Sequence, residues 1–256
     1  MISVARPARG DTAALRLFLF HHAGGSAGFF HGWERLFPAN WEICLLDAPG
    51  RGSAAALPPV RDLDELGETF GGAIRAGADG PFAFFGHSMG ALAAYATTRS
   101  LARHGSRPRW LGVSAALPPR PPHAPARARH ALPDEALRER LRTTGGTPAF
   151  VLEHPTLWRL FAPLLRADLR LVDEWRGTAG STPLDTPITA FGGTEDTTAP
   201  GERLHSWAGR THGRFALRRY PGGHFYLADE DTRRRLAADI VADIRQADDV
   251  SRHAVV

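Results

Sequence analysis

The run Gly86-His87-Ser88-Met89-Gly90 sits between an apolar stretch, Pro81-Phe82-Ala83-Phe84-Phe85, and a helix-forming one, Ala91-Leu92-Ala93-Ala94-Tyr95. Strand, tight turn and helix in that order make a nucleophile elbow. There the serine takes a strained backbone conformation, and the flanking glycines remove side chains that would collide where helix and strand meet. Gly-x-Ser-x-Gly alone is weak evidence, because 27 glycines and 10 serines in 256 residues supply about 0.1 matches by chance. Its place in the chain gives it weight.

Apolar runs bounded by turn residues recur at 15–20, 41–46, 82–85, 110–113, 188–191 and 215–220, and these are predicted strands. Helical spacing fills 27–36, 63–76, 91–103, 201–209 and 232–244. Such alternation predicts an α/β fold, a mostly parallel sheet flanked by helices on both faces. One interval breaks the rhythm. From Pro118 to Pro187 no strand pattern appears; six prolines crowd 118–133, and the stretch closes through Gly177-Thr178-Ala179-Gly180-Ser181-Thr182-Pro183. It reads as an inserted helical lid over 118–187, with 1–117 and 188–256 forming the core. Helices are expected at Asp134 to Arg142 and, as one or two pieces, at Pro155 to Trp175. The apolar positions of the latter spread wider than one stripe, so its helices either pack on each other and the core or also line an acyl channel.

Composition narrows the chemistry. All 31 basic residues are arginine, which excludes Schiff-base lysines, a P-loop lysine and a Ser-Lys dyad. The formal charge of +4 accompanies an Arg/Ala/Pro-rich composition of the kind that codon bias produces, and nucleic-acid binding is not expected. Cys44, the only cysteine, lies in an apolar run and is expected to be a buried, inert thiol with no disulfide and no Cys-rich metal site. No signal peptide or membrane span is expected, which predicts a cytoplasmic protein with no membrane partner.

A serine hydroxyl is a poor nucleophile at neutral pH and needs a base, an orienting acid and donors for an oxyanion. His224, on the loop Tyr220-Pro221-Gly222-Gly223-His224-Phe225, is the best placed of twelve histidines for the base. The acid is Asp196 or its neighbour Glu195, with Asp196 preferred. Ser88, Asp196, His224 is the chain order of the α/β-hydrolase fold. The oxyanion donors expected of that fold are the amides of Met89 and, on the loop His21-His22-Ala23-Gly24-Gly25, of Ala23. His22 is expected to be a structural hydrogen-bonder and His87 turn scaffolding, and no metal cluster emerges from the other histidines.

Taken together, Phe20-His21-His22-Ala23-Gly24-Gly25, Asp47-Ala48-Pro49-Gly50-Arg51-Gly52, the elbow, Gly145-Gly146-Thr147-Pro148, Pro221-Gly222-Gly223-His224-Phe225 and the lid stretch from Leu132-Pro133-Asp134-Glu135 through Arg166-Ala167-Asp168-Leu169-Arg170 resemble the type II thioesterases of polyketide and nonribosomal peptide biosynthesis. The resemblance implies a free-standing cytosolic hydrolase, here expected as a monomer without a cofactor. It would cleave acyl thioesters from the phosphopantetheine arm of an acyl or peptidyl carrier protein and clear mis-primed or stalled chains. Ser88, Asp196 and His224 fall on the family's triad, Met89 and Ala23 on its oxyanion donors. The chain departs from the family's pattern at Ala54, Ala96, Ala115-Ala116 and Thr197. The family's carrier proteins are usually acidic, so Arg120, Arg127, Arg129, Arg138, Arg140 and Arg142 are either docking residues or a solvated basic face. A carboxylesterase or lipase would use the same triad. A non-enzymatic relative would usually have lost one of its members.

Overall fold

The computed structural model describes residues 1–6, 13–77, 80–120, 128–177 and 182–253. Seven strands form one sheet: β1 (Ile2–Arg6), β2 (Leu15–Phe20), β3 (Trp41–Leu46), β4 (Phe82–His87), β5 (Leu111–Ser114), β6 (Ile188–Gly193) and β7 (Phe215–Tyr220). Their spatial order is β1-β3-β2-β4-β5-β6-β7. All neighbours are parallel except β1, which pairs antiparallel with β3 at one edge. The predicted α/β-hydrolase sheet is therefore present, with one short edge strand that no apolar run announced.

The central strands are buried on both faces, which is why they read as apolar runs, interrupted in β2 and β3 only by the paired Arg16 and Glu42. Phe18, Phe20 and Phe84 point to one face, where α1 (Leu63–Gly77) and α2 (Met89–Ala102) pack; Leu17, Leu19 and Phe85 point to the other. There Trp33, Leu236, Ile240 and Ile244 close the core. Leu236, Ile240 and Ile244 belong to α7 (Glu230–His253), their four-residue spacing giving one buried stripe. Ala96, one of the departures from the family's pattern, lies where α1 and α2 meet: a Cβ on Gly67 would stand 2.7 Å from its carbonyl carbon.

Two expected helices are corrected. The 27–36 interval is a pair of 3-10 turns, Ala27–Phe30 and Trp33–Leu36, split by Gly32 at φ 85°. The 201–209 interval is a single helical turn, α6 (Gly201–Leu204), running into a 3-10 turn at His205–Arg210.

Between β5 and β6 lie α3 (Asp134–Thr144), α4 (Ala149–Glu153) and α5 (Pro155–Glu174), with no strand among the described residues of the interval. Residues 121–127 and 178–181, which include Arg127 and most of the expected glycine-rich hinge, lie outside the described residues. Leu137, Leu152, Trp158, Ala162 and Leu165 form a small core of their own. Leu171 and Trp175, at the end of α5, join the main core.

Candidate active site

Every element of the site meets at the carboxyl ends of β2, β4, β6 and β7, beside the point where the chain changes direction of winding across the sheet. That is where open α/β sheets form their crevice. Ser88 follows β4 with φ 57° and ψ −118°, and its amide donates to the Ser114 carbonyl at 2.8 Å. The elbow leaves no room beside it. A Cβ on Gly86 would lie 2.1 Å from the Gly90 carbonyl oxygen, and one on Gly90 would lie 2.1 Å from that of Phe20. Both glycines are thus demanded by close approach.

The loops after β6 and β7 are laced together. Thr194 N–H donates to the Tyr220 carbonyl at 2.8 Å and Glu195 N–H to that of Gly222 at 2.9 Å. This lacing turns Asp196 inward, to 4 % exposure, and leaves Glu195 exposed. His224 Nδ1 donates to Asp196 Oδ2 at 2.8 Å, and Ser88 Oγ donates to His224 Nε2 at 3.0 Å. Asp196 Oδ1 accepts from the amides of Thr198 at 2.7 Å and Ala199 at 3.1 Å. Burial raises the Asp196 carboxyl, but the His224 bond and charge with the two amides outweigh it and hold the group below its usual range. An ionised carboxylate behind a histidine behind a serine can generate a nucleophile at neutral pH.

His87 lies against this line, its ring centroid 5.3 Å from that of His224. Its Nδ1 is paired with Ser114 Oγ at 2.9 Å, which in turn meets Tyr226 OH at 2.7 Å. Burial, then the charges of His224 and His22, push it well below the ordinary imidazole range, so it is neutral scaffolding. His22 is structural, but by packing rather than by the hydrogen bond expected of its side chain. Its ring lies 4.5 Å from Phe29 and 4.9 Å from Phe225, and Nδ1 is buried without a partner among the described residues. Cys44 is buried, and burial first, then Glu42, pushes its thiol up to about 12.

Sequence reasoning missed what holds the loop that carries Ala23. Asp168, on α5, accepts from Arg51 Nη1 and Nη2 at 2.6 Å each and from the Gly24 amide at 2.7 Å. Arg51 Nη1 also donates to the Gly25 carbonyl at 3.0 Å. The two side chains are 7 % and 2 % exposed. Both residues lay in stretches that carry the family resemblance, but nothing in the sequence paired them across 117 positions.

A cavity of about 320 Å³ opens beside Ser88 and His224, with Met89, Leu92, Val172 and Trp175 among its lining. The 155–175 stretch packs on its neighbours, as one reading expects, and Val172 and Trp175 near its end also line this space. Of the arginines considered for docking, Arg120 and Arg129 line the cavity. Arg138 stacks over Trp158, 4.7 Å from the ring centroid, and Arg142 is paired with Glu139 at 3.1 Å and Glu135 at 3.5 Å. Among the described residues, no group of three His, Cys, Asp or Glu side chains is placed to hold a metal ion.

The family model for the thioesterase domain matches residues 15–244. The chain belongs to the thioesterase family. It is 36 % identical over 218 residues to the gramicidin S biosynthesis protein GrsT of Aneurinibacillus migulanus, covering 85 % of this chain and 84 % of the relative. It is 37 % identical over 220 residues to the thioesterase PikA5 of Streptomyces venezuelae, covering 85 % and 77 %. Among solved structures, the type II thioesterase BorB from the borrelidin biosynthetic cluster superposes with a TM-score of 0.82 at 33 % identity, over 95 % of this chain and 97 % of that one. This thioesterase is accordingly a hydrolase of acyl thioesters built on the α/β-hydrolase fold.

Proposed function

We propose that Ser88, His224 and Asp196 are the catalytic triad of a type II thioesterase, which frees acyl groups from the phosphopantetheine arm of a carrier protein in polyketide or nonribosomal peptide assembly. The observation that carries this reading is the unbroken line of hydrogen bonds from Ser88 Oγ through His224 to the buried Asp196. His224 Nε2 takes the Ser88 proton as Oγ attacks the thioester carbonyl. The oxyanion collects at the amides of Ala23 and Met89, neither of which is spent on another acceptor among the described residues. As the intermediate collapses, the C–S bond breaks and His224 returns its proton to the departing thiolate. Water, deprotonated by the same histidine, attacks the acyl-serine and releases the acid, which restores Ser88.

No cofactor takes part in these steps. Residues 118–187 serve as a lid: α5 covers the Ala23 loop through Asp168 and lines the cavity through Val172 and Trp175. The protein is assigned to the cytoplasm, where carrier-protein assembly lines work, and no helix among the described residues is long and apolar enough to cross a membrane.

The test is hydrolysis of a panel of acyl carrier proteins and acyl-N-acetylcysteamine thioesters, with Ser88→Ala and His224→Ala alone and together. Each single variant should lose roughly 10⁴-fold in kcat, and the double should be little worse, because triad members act as a unit. Losses that multiply would refute the assignment. Preference for p-nitrophenyl esters over thioesters would move the protein to the carboxylesterases.

A further inference from the structure

The cavity beside Ser88 has two kinds of wall. Leu92, Val172 and Trp175 are apolar, whereas Arg120, Arg129, Arg203 and Arg210 are basic, and no Asp or Glu is among the described residues that line it. Surface arginines are normally answered by nearby carboxylates, as Arg142 is on α3. Here the answer falls short.

Among the described residues Asp173 is the carboxylate bonded to Arg129 of this cluster; it is fully buried, and its two oxygens are already divided. Oδ1 accepts from Arg129 Nε at 2.7 Å; Oδ2 accepts from the His130 amide at 3.2 Å and pairs with His130 Nδ1 at 3.1 Å. Arg120 Nη2 at 2.5 Å and Arg176 Nη1 at 2.8 Å converge instead on the backbone carbonyl of Asp173. Arg210 Nη2 donates to the Pro119 carbonyl at 3.0 Å. Carbonyls satisfy hydrogen bonds but cancel no charge. Burial first, and then the like charges of Arg176 and Arg129, outweigh the opposing charge of Asp173 and pull the Arg120 guanidinium below its ordinary range. Arg129 Nη2 is buried with no partner among the described residues. The cavity that Ser88 lines therefore carries the guanidinium charges of Arg129, Arg203 and Arg210 against one carboxylate partner among the described residues, Asp173, together with an unpaired buried donor on Arg129.

We propose that this arginine wall is an anion subsite, which takes a carboxylate or phosphate oxyanion carried by the thioester itself. Guanidinium forks match the planar geometry of such groups and bind them with charge-assisted bonds. The anion is either the free carboxylate of a dicarboxylic acyl chain or the phosphodiester of the pantetheine arm. The inference rests on the reading of Ser88 as the nucleophile of a thioester hydrolase.

Two matched pairs of substrates separate the sources. Pentanoyl- and glutaryl-N-acetylcysteamine differ only in the terminal carboxylate; pentanoyl-pantetheine and pentanoyl-4′-phosphopantetheine differ only in the phosphate. The charged member of one pair should be preferred by about tenfold or more in kcat/KM, the scale of a hydrogen bond to a charged group. A preference in the first pair places the acyl carboxylate at the wall, and one in the second places the arm. That ratio should collapse toward one in Arg129→Gln and Arg210→Gln. Because Arg129 also holds Asp173, the exposed Arg203→Gln provides a variant whose folding is not in question. Equal rates within both pairs, or a preference that survives neutralising Arg203 and Arg210 together, overturns the subsite while leaving the thioesterase reading intact. Hydrolysis of none of the four substrates removes the catalytic reading, and the subsite with it.

Discussion

Replacing Asp168 with asparagine keeps the shape of the side chain and deletes one charge from a pair hidden from water. Arg51 remains, 7 % exposed and fully charged, with only the Gly25 carbonyl and whatever the new amide oxygen offers. Arg51 Nε is already buried without a partner among the described residues, so the guanidinium has little in reserve. Breaking a buried pair from one side costs about 3–5 kcal/mol. An asparagine oxygen can still accept one of the three bonds that Asp168 now accepts, which puts the expected loss near the lower end, at about 3 kcal/mol. A fold stable by about 5–15 kcal/mol survives that, with Tm lower by about 6–12 °C.

The assay is thermal and urea unfolding of Asp168→Asn, Arg51→Met and the double variant Arg51→Met/Asp168→Leu. The double variant should recover most of the loss, since an apolar pair of similar volume replaces a buried ion pair at little cost. Because the Gly24 amide adjoins Ala23, Asp168→Asn should also lower kcat on small thioesters, by up to about 10²-fold for a donor displaced by 1 Å. Loss of under about 1 kcal/mol, or a double variant that equals the sum of the singles, would refute the reasoning.

Three further outcomes follow from the same geometry. Asp196→Asn should cost about 10²- to 10⁴-fold in kcat and Glu195→Gln no more than about threefold, because Asp196 alone faces His224; the reverse ranking in steady-state assays would transfer the role. Burial first, and then the charges of His21, His224 and Arg51, hold His22 down at about 3, against 6.5 when unperturbed. The unfolded chain binds a proton that the fold refuses, so this contribution is complete above about pH 6.5 and drains away as pH falls toward 3. In urea titrations between about pH 4 and 6, His22→Phe should flatten the stability slope by up to one proton, about 1.4 kcal/mol per pH unit, and an unchanged slope would show that His22 titrates freely. Ala115, at φ 50°, occupies the left-handed region without being glycine. Ala115→Gly should stabilise the fold by about 0.5–1 kcal/mol, less than the relieved strain because glycine also loosens the unfolded chain, and a lower Tm would count against that strain.

What the amino-acid sequence determined by itself is whatever depends on near neighbours. Strands buried on both faces must be largely apolar, so β4 and β6 are written as near-plain runs, and β2 and β3 depart only at Arg16 and Glu42, a partly exposed ion pair near their starts. The elbow is equally local at Gly86, which answers to the backbone of Gly90 four residues on, whereas Gly90 answers to Phe20 on the neighbouring strand. Chain order then grouped Ser88 with His224 and with the carboxylate pair Glu195-Asp196, with Asp196 preferred. Local pattern fails where a segment takes its shape from distant partners. β1 exists because β3 offers an open edge, and 27–36 breaks into two turns at Gly32 despite helical spacing. Only the tertiary structure decided between Asp196 and Glu195, since adjacent carboxylates of like chemistry differ in which one the laced loops turn inward. It alone joined Arg51 to Asp168 and gathered Arg120, Arg129, Arg203 and Arg210 on one wall. Charges so far apart along the chain have no mutual periodicity; they meet because α5 packs over the sheet, and burial then makes each dependent on the others.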